Sequence, residues 1–238
     1  MGQGSIVVGT DNRLLDFSLL FPPLPDGEIY VGLSGGIEST AVLHLVHDQY
    51  RNHDIIPCTV KHKDRRMWEY DNAYKIASLY GLGHVHTESH SLRLKTKFRT
   101  PLEYFNQENY LFDSVRKNNP RFVAGFTGKN TTTLDPEIIT VKQQHTFRVL
   151  FKVHRPLLQC DKHHTVDIFY KLGIEDTLQH THSCQVNDRI HCGQCHACWE
   201  RIDAFDRLGK KDPAIYSDDY DKLVDQVRRF FKIRWPRR

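Results

Sequence analysis

The chain has 238 residues, 39% of them hydrophobic and 11% aromatic, enough to fill one sizeable core. Lys and Arg number 33 against 29 Asp and Glu, a net charge of +4 that excludes disorder by self-repulsion and permits contact with anions without demanding it. No apolar stretch approaches the ~18 residues of a membrane span. Met1-Gly-Gln-Gly-Ser5 has neither the basic nor the apolar region of a secretory leader, and Ile6 stands where a myristoylation motif needs Ser or Thr. A soluble cytoplasmic protein with no membrane partner is expected.

Strand-like and helix-like segments alternate along the chain. Glu28-Ile-Tyr-Val-Gly-Leu33 reads as a strand and residues 38–50 as a helix with apolar Ala41, Val42, Leu45 and Val46. Residues 55–60 form the next strand. The helix over 68–80 carries Ala73, Ile76, Ala77 and Tyr80 on one face, and Gly81 sits where a left-handed C-terminal residue belongs. A third strand is expected over 84–88, a helix over 104–117, and a fourth strand at Arg121-Phe-Val-Ala-Gly-Phe126. Residues 127–144 read as a long polar loop or flap. Strand character resumes over 150–158. Asp161 caps a helix running to Leu172 that Gly173 stops. Further helices are expected over 199–208 and 221–231. This alternation predicts the α/β class, a parallel sheet with helices on both faces and ligands at the C-terminal strand edge. Residues 1–158 are expected to form a nucleotide-binding α/β domain, and residues 159–238 a cysteine-bearing helical region packed on the same core.

The most informative segment is Val31-Gly-Leu-Ser-Gly-Gly-Ile-Glu-Ser-Thr40, which follows a strand and opens a helix. Gly35 and Gly36 let main-chain amides approach an anion, and the helix N-terminus adds partial positive charge. Ser34, Ser39 and Thr40 offer hydroxyls, and Glu38 offers a carboxylate for Mg²⁺. The loop has neither the Gly-Lys-Ser/Thr ending of a Walker loop nor the G-x-G-x-x-G of a dinucleotide fold.

Cys184, Cys192, Cys195 and Cys198 fall within one short segment, enough thiolates to close a tetrahedral Zn²⁺ site, expected to be structural. An iron–sulfur cluster has comparable ligand needs. The absence of an obvious redox partner favours zinc. His180, His182, His191 and His196 crowd the same stretch. With four thiols at hand they are expected to be exposed or to face a substrate rather than to ligate. Lys61, Lys63, Lys129 and Lys152 follow strand ends and could meet phosphate or carboxylate, though isolated lysines are usually solvated. Six basic residues and three aromatics in Arg228–Arg238 could grip nucleic acid, but Phe230 and Phe231 packing inward is the preferred reading.

The Ser-Gly-Gly loop resembles the Ser-Gly-Gly-x-Asp-Ser signature of the PP-loop ATP pyrophosphatases, with Glu38 in place of the Asp. Pro156-Leu-Leu158, Lys171-Leu-Gly-Ile174, His182-Ser-Cys184 and Cys192-Gly-Gln-Cys195-His-Ala-Cys198-Trp-Glu-Arg201 then follow in order. Together with the loop, this series is similar to the 7-cyano-7-deazaguanine synthase family, over roughly residues 28–90 and 120–206. The resemblance implies ATP-dependent adenylation of 7-carboxy-7-deazaguanine and transfer of ammonia nitrogen to reach the nitrile. It implies that Ser34, Gly35, Gly36, Glu38 and Ser39 hold phosphates and Mg²⁺, with Leu33 and Thr40 lining the same cofactor loop and Glu38 and Ser39 in the catalytic role. It places zinc on the four cysteines. A homodimer is compatible, and nucleic acid is not required.

The match departs from the family on the substrate side. Val60-Lys-His-Lys-Asp-Arg-Arg66 replaces a Tyr-Gly-Gln-Arg-His-like stretch, and Gly125-Phe-Thr-Gly-Lys-Asn130 replaces an Asn-Ala-Glu-Asp run. Two alternatives follow. One is a PP-loop ligase making an amide or joining a deazaguanine to a macromolecule. The other is a tRNA-modifying thiolase, which would need Cys58 or Cys160 as a reactive thiol.

Overall fold

The computed structural model describes residues 4–24, 27–62, 68–83, 86–90, 122–124, 153–154, 156–157 and 159–234. The helix expected over 104–117, the loop over 127–144, and Lys63, Lys129 and Lys152 lie outside them, and Lys61 is described only in its main chain.

Among the described residues, five strands form one parallel sheet: β3 (Glu28–Gly32), β4 (Asp54–His62), β5 (His86–His90), β6 (Phe122–Ala124) and β7 (Val153–His154). Their order is β5-β4-β3-β6-β7. The chain thus steps outward from β3 to β5, then returns to the other side of β3. The order reverses at β3, and in open α/β sheets ligands bind at the carboxyl ends of the strands flanking such a reversal. Gly32 at the end of β3 pairs with Cys58 on one side and Ala124 on the other.

Helix α2 (Ile37–Gln49) follows β3, and α3 (Trp68–Leu79) follows β4. Along α2, Ile37, Ala41, Val42, Leu43, Leu45 and Val46 are all buried, so this helix is apolar on more than one face and sits inside the protein. Ala73, Ile76 and Ala77 of α3 join it in one cluster with Ile29 and Val31 of β3. After α3 the chain closes as the sequence predicts: Gly81 takes φ +70°, its N–H donates to Ser78, and the N–H of Leu82 reaches Ala77.

Helix α4 (Lys162–Lys171) packs on α2 and ends the same way, with Gly173 at φ +67° and Ile174 N–H donating to Phe169. A 3₁₀ turn (Glu175–His180), α5 (His196–Arg207) and α6 (Tyr220–Arg234) complete the chain. Val166, Ile168 and Phe169 of α4 and Phe205 of α5 belong to the same apolar cluster as the sheet. Phe230 lies 4.5 Å from Trp199, ring to ring, and Phe231 packs beside Leu223 and Val227. Phe230 and Phe231 therefore face inward.

The N-terminal residues hold an unanticipated element. Strands β1 (Ser5–Val8) and β2 (Arg13–Asp16) pair antiparallel and lead into α1 (Phe17–Leu20). Ile6, Val8 and Leu15 point into the main cluster, whereas Val7 and Leu14 are exposed. The turn residues Gly9-Thr-Asp-Asn12 mark the reversal, but Ser5-Ile-Val-Val8 and Arg13-Leu-Leu-Asp16 have consecutive apolar residues, so only the burial separates the two faces.

Candidate active site and thiol centre

The loop after β3 is shaped by its own hydroxyls. The amide of Ser34 donates to Ser39 Oγ at 3.2 Å, and Ser39 Oγ donates to the carbonyl of Gly36 at 3.2 Å. Ser34 Oγ is 3.2 Å from Ser39 Oγ and accepts from the amide of Gly36 at 3.4 Å. Gly35 has φ +75°, and a Cβ there would fall 2.5 Å from Asn72 Cβ and 2.8 Å from the Asn72 carbonyl carbon. Only glycine fits, because the loop and the start of α3 meet main chain to side chain. Gly36 is more open: its nearest neighbour would be Ser34 Oγ at 3.5 Å.

The loop residues predicted from the sequence divide into two groups. Ser34, Gly35, Gly36, Glu38 and Ser39 form the rim and its bracing. Leu33 and Thr40 are buried, with their amides bonded to Cys58 O at 2.7 Å and Gly36 O at 3.0 Å, so neither main-chain N–H is free for an anion. Thr40 Oγ1 is buried without a hydrogen-bond partner.

Sequence reasoning missed Lys162. At the start of α4, its Nζ lies 2.9 Å from Glu38 Oε1 and 3.5 Å from Glu200 Oε2 of α5. Its side chain is 14% exposed. Burial pulls the ammonium pKa down, but Glu38 and Glu200 outweigh this and leave it above the ordinary lysine value. Burial likewise raises the Glu200 carboxyl, and the hydrogen bond from His196 with the Lys162 charge more than offsets that. Both groups are charged at neutral pH.

The thiol centre abuts this loop. The amide of His182 donates to Gly35 O at 2.8 Å, and Cys184 follows two residues later. All four cluster sulfurs lie within 4.8 Å of one another; Cys192 and Cys198 are 4.0 Å apart, Cys195 and Cys198 3.4 Å. One tetrahedral ion with metal–sulfur bonds of ~2.3 Å needs sulfurs about 3.8 Å apart. A four-iron cluster puts each thiolate on a different iron and needs a wider spread. The residues therefore fit a single ion. Amides of Val186, Asn187 and Cys192 donate to Cys184 Sγ, and that of Cys195 to Cys192 Sγ, which fixes the two sulfurs in place. Gly193, at φ +69°, turns the chain between Cys192 and Cys195 against Leu223, and Trp199 Nε1 donates to its carbonyl at 2.9 Å.

Arg201 braces the segment that joins centre to loop. Fully buried, it pairs with Asp212 through Nε at 2.6 Å and Nη2 at 2.9 Å, and Nη1 donates to Thr181 Oγ1 at 2.8 Å. Tyr216 donates to the same Asp212 at 2.6 Å. His191 corrects an expectation: it is buried, and its Nε2 accepts from the amide of Ser183 at 3.1 Å, so it is a structural acceptor rather than an exposed or substrate-facing group. Half-buried His182 faces the edge of Trp68 at 6.4 Å.

A second grouping, Asp11, His163 and His164, has the residue types of a metal site. The hydrogen bonds decide otherwise. His164 Nδ1 accepts from the amide of Asp161 at 2.8 Å, so the neutral ring carries its proton on Nε2, which meets Asp11 Oδ1 at 2.6 Å. No lone pair is left there for an ion, and the contact clamps the hairpin turn to α4.

A family model described as "Queuosine biosynthesis protein QueC" matches residues 136–209, the stretch containing Lys162 and all four cluster cysteines. A 7-cyano-7-deazaguanine synthase of Caldicellulosiruptor saccharolyticus is 25% identical over 80% of this chain and 96% of its own length. Another, from Oceanobacillus iheyensis, is 22% identical over 77% of this chain and 96% of its own length. The chain is thus similar to 7-cyano-7-deazaguanine synthases. Among solved structures, the U34-tRNA thiolase NcsA from Methanococcus maripaludis with its [4Fe-4S] cluster superposes with a TM-score of 0.51 at 15% identity, covering 91% of this chain and 76% of the thiolase. That likeness speaks to the fold alone, and the fold is the parallel α/β architecture expected. Among the described residues, no helix is long and apolar enough to cross a membrane.

Proposed function

We propose that the protein is an ATP-dependent ligase that converts 7-carboxy-7-deazaguanine and ammonia to 7-cyano-7-deazaguanine. The observation that carries this reading is the contact between an anion-shaped loop at the sheet's reversal point and a four-thiol centre, in a chain that two synthases match over 96% of their own length. A carboxylate resists ammonia because oxide is a poor leaving group. Attack of the carboxylate oxygen on the α-phosphorus of ATP releases pyrophosphate and leaves an acyl adenylate. Ammonia then adds at the acyl carbon and AMP departs, giving the amide. A second ATP adenylates the amide oxygen with release of pyrophosphate, and loss of that oxygen as AMP with the two N–H protons leaves the nitrile.

In this reading the amide of Gly35 and the N-terminus of α2 receive phosphate charge, while Ser34, which accepts from the Gly36 amide, and Ser39 hold the loop in shape. Glu38, through the oxygen not paired with Lys162, would hold Mg²⁺, whose chemistry is neutralisation of phosphate charge. Zn²⁺ on Cys184, Cys192, Cys195 and Cys198 would be structural, fixing the segment that supports Gly35. The thiolase alternative has less support: Cys58 and Cys160 are both buried, and burial pushes the Cys160 thiol up to about 11.

The test is incubation of zinc-loaded protein with Mg-ATP, ammonium and 7-carboxy-7-deazaguanine, followed by mass spectrometry. The nitrile mass together with AMP is the expected result. An amide alone would rename the product. No turnover of the free base with ATP still bound would overturn the substrate and point to another acceptor.

A further inference from the structure

The phosphate loop carries no cation of its own. Its only charged residue is Glu38, in the first turn of α2, and a carboxylate there opposes the binding of a polyanion. The compensating charge comes from α4. Lys162 Nζ pairs with Glu38 Oε1 at 2.9 Å, while Oε2 of the same carboxylate is turned toward Gly36. Glu200 takes the other side of the ammonium at 3.5 Å and is itself 3.6 Å from His196 Nδ1. The three side chains are 13–17% exposed, so their charges act at low screening beside the loop.

We propose that Lys162 is the positioning cation of the phosphate loop: it holds Glu38 with one oxygen facing Gly36 and supplies the positive charge an incoming polyphosphate needs, with Glu200 tempering that charge from the thiol-bearing helix. This rests on the nucleotide reading of the loop. Lys162, Glu38 and Glu200 together carry one net negative charge. Removing the lysine charge leaves two. Removing the Glu200 charge leaves none. The two changes therefore move the affinity for an anion in opposite directions, although both break the same ion pair.

Calorimetric titration of Mg-ATP into zinc-loaded protein and its variants separates the possibilities. Lys162→Met should weaken binding about tenfold, and Glu200→Gln should strengthen it about threefold, as expected for unit charges several ångströms from the ligand at intermediate dielectric. Lys162→Arg should recover most of the loss, and Lys162→Met with Glu200→Gln should lie between the single variants. Should Lys162→Met fail to fold, the sign of the Glu200→Gln effect decides alone. Weakening by Glu200→Gln, in step with a lowered melting temperature, would mean a merely structural bridge and overturn the proposal. Unchanged affinity in Lys162→Met would also overturn it, while leaving the nucleotide reading intact. Absence of binding by the unmutated protein would instead overturn the nucleotide reading, and this proposal with it.

Discussion

The main-chain N–H of His182 donates to the carbonyl of Gly35 across 2.8 Å. This single bond joins the segment leading into the thiol centre to the loop after β3. It makes the cysteine cluster a support of the candidate site rather than a remote appendage. Arg201 secures the same segment from behind through Thr181.

The thiol centre should therefore matter to the loop. Cys198→Ser, or treatment with a strong chelator, should release one metal ion per chain, measured by elemental analysis. Since one structural zinc site contributes on the order of 10 kcal/mol in small domains, the melting temperature should fall by more than about 10 °C. Mg-ATP affinity should fall with it, as the support for Gly35 loosens.

The two loop glycines should respond differently. Gly35→Ala places a Cβ 2.5 Å from Asn72 at φ +75° and should cost roughly 2–4 kcal/mol in urea denaturation. Gly36→Ala meets nothing closer than 3.5 Å and should cost under about 1 kcal/mol. On the proposed nucleotide reading it should nevertheless weaken Mg-ATP binding, because the added methyl would stand at the loop rim beside Ser34 Oγ and Glu38 Oε2. Equal stability losses in the two variants would contradict this geometry.

Breaking the buried Arg201–Asp212 pair from one side should be worse than replacing both partners. Arg201→Met strands a buried carboxylate that still accepts from Tyr216 and Ala214, at a cost of about 3–5 kcal/mol. Arg201→Met with Asp212→Leu should recover part of that loss in the same thermal denaturation experiment.

Acid should destabilise the fold through His163. Burial, with His164 and Arg207 nearby, holds its imidazole down to about 4 despite Asp161 and Asp11. The folded state keeps this ring neutral while the unfolded chain takes up a proton near pH 6.5. Its contribution is thus complete above pH 6.5 and is lost as pH falls from there toward 4, by about 1.4 kcal/mol per pH unit. His163→Gln should flatten that part of the stability–pH curve measured by urea denaturation between pH 6.5 and 4.5.

Much of this protein is legible in its residues. The alternation of strands and helices predicts the parallel sheet, and Gly81 and Gly173 mark where α3 and α4 end, because a left-handed residue after a helix strongly favours glycine. The Ser-Gly-Gly loop and the cysteine spacing are local patterns, each set by a turn that a few neighbouring residues can make. The N-terminal hairpin was less legible: Ile6, Val7 and Val8 are apolar in a row, as are Leu14 and Leu15, so the turn residues Gly9–Asn12 were its one local mark, and its place on α4 had none.

Chemistry assembled from distant residues was different. Nothing near Lys162 in the sequence distinguishes it from lysines facing water; only the packing of α4 on α2 and α5 brings it between Glu38 and Glu200. The burial of His191, the tautomer that closes the Asp11–His163–His164 cluster to metal, and the pairing of Arg201 with Asp212 likewise depend on partners far along the chain. Periodicity and turn chemistry act over a few residues and can be read from order alone. Charge, burial and proton placement depend on which side chains share a small volume, and that is decided when the helices pack.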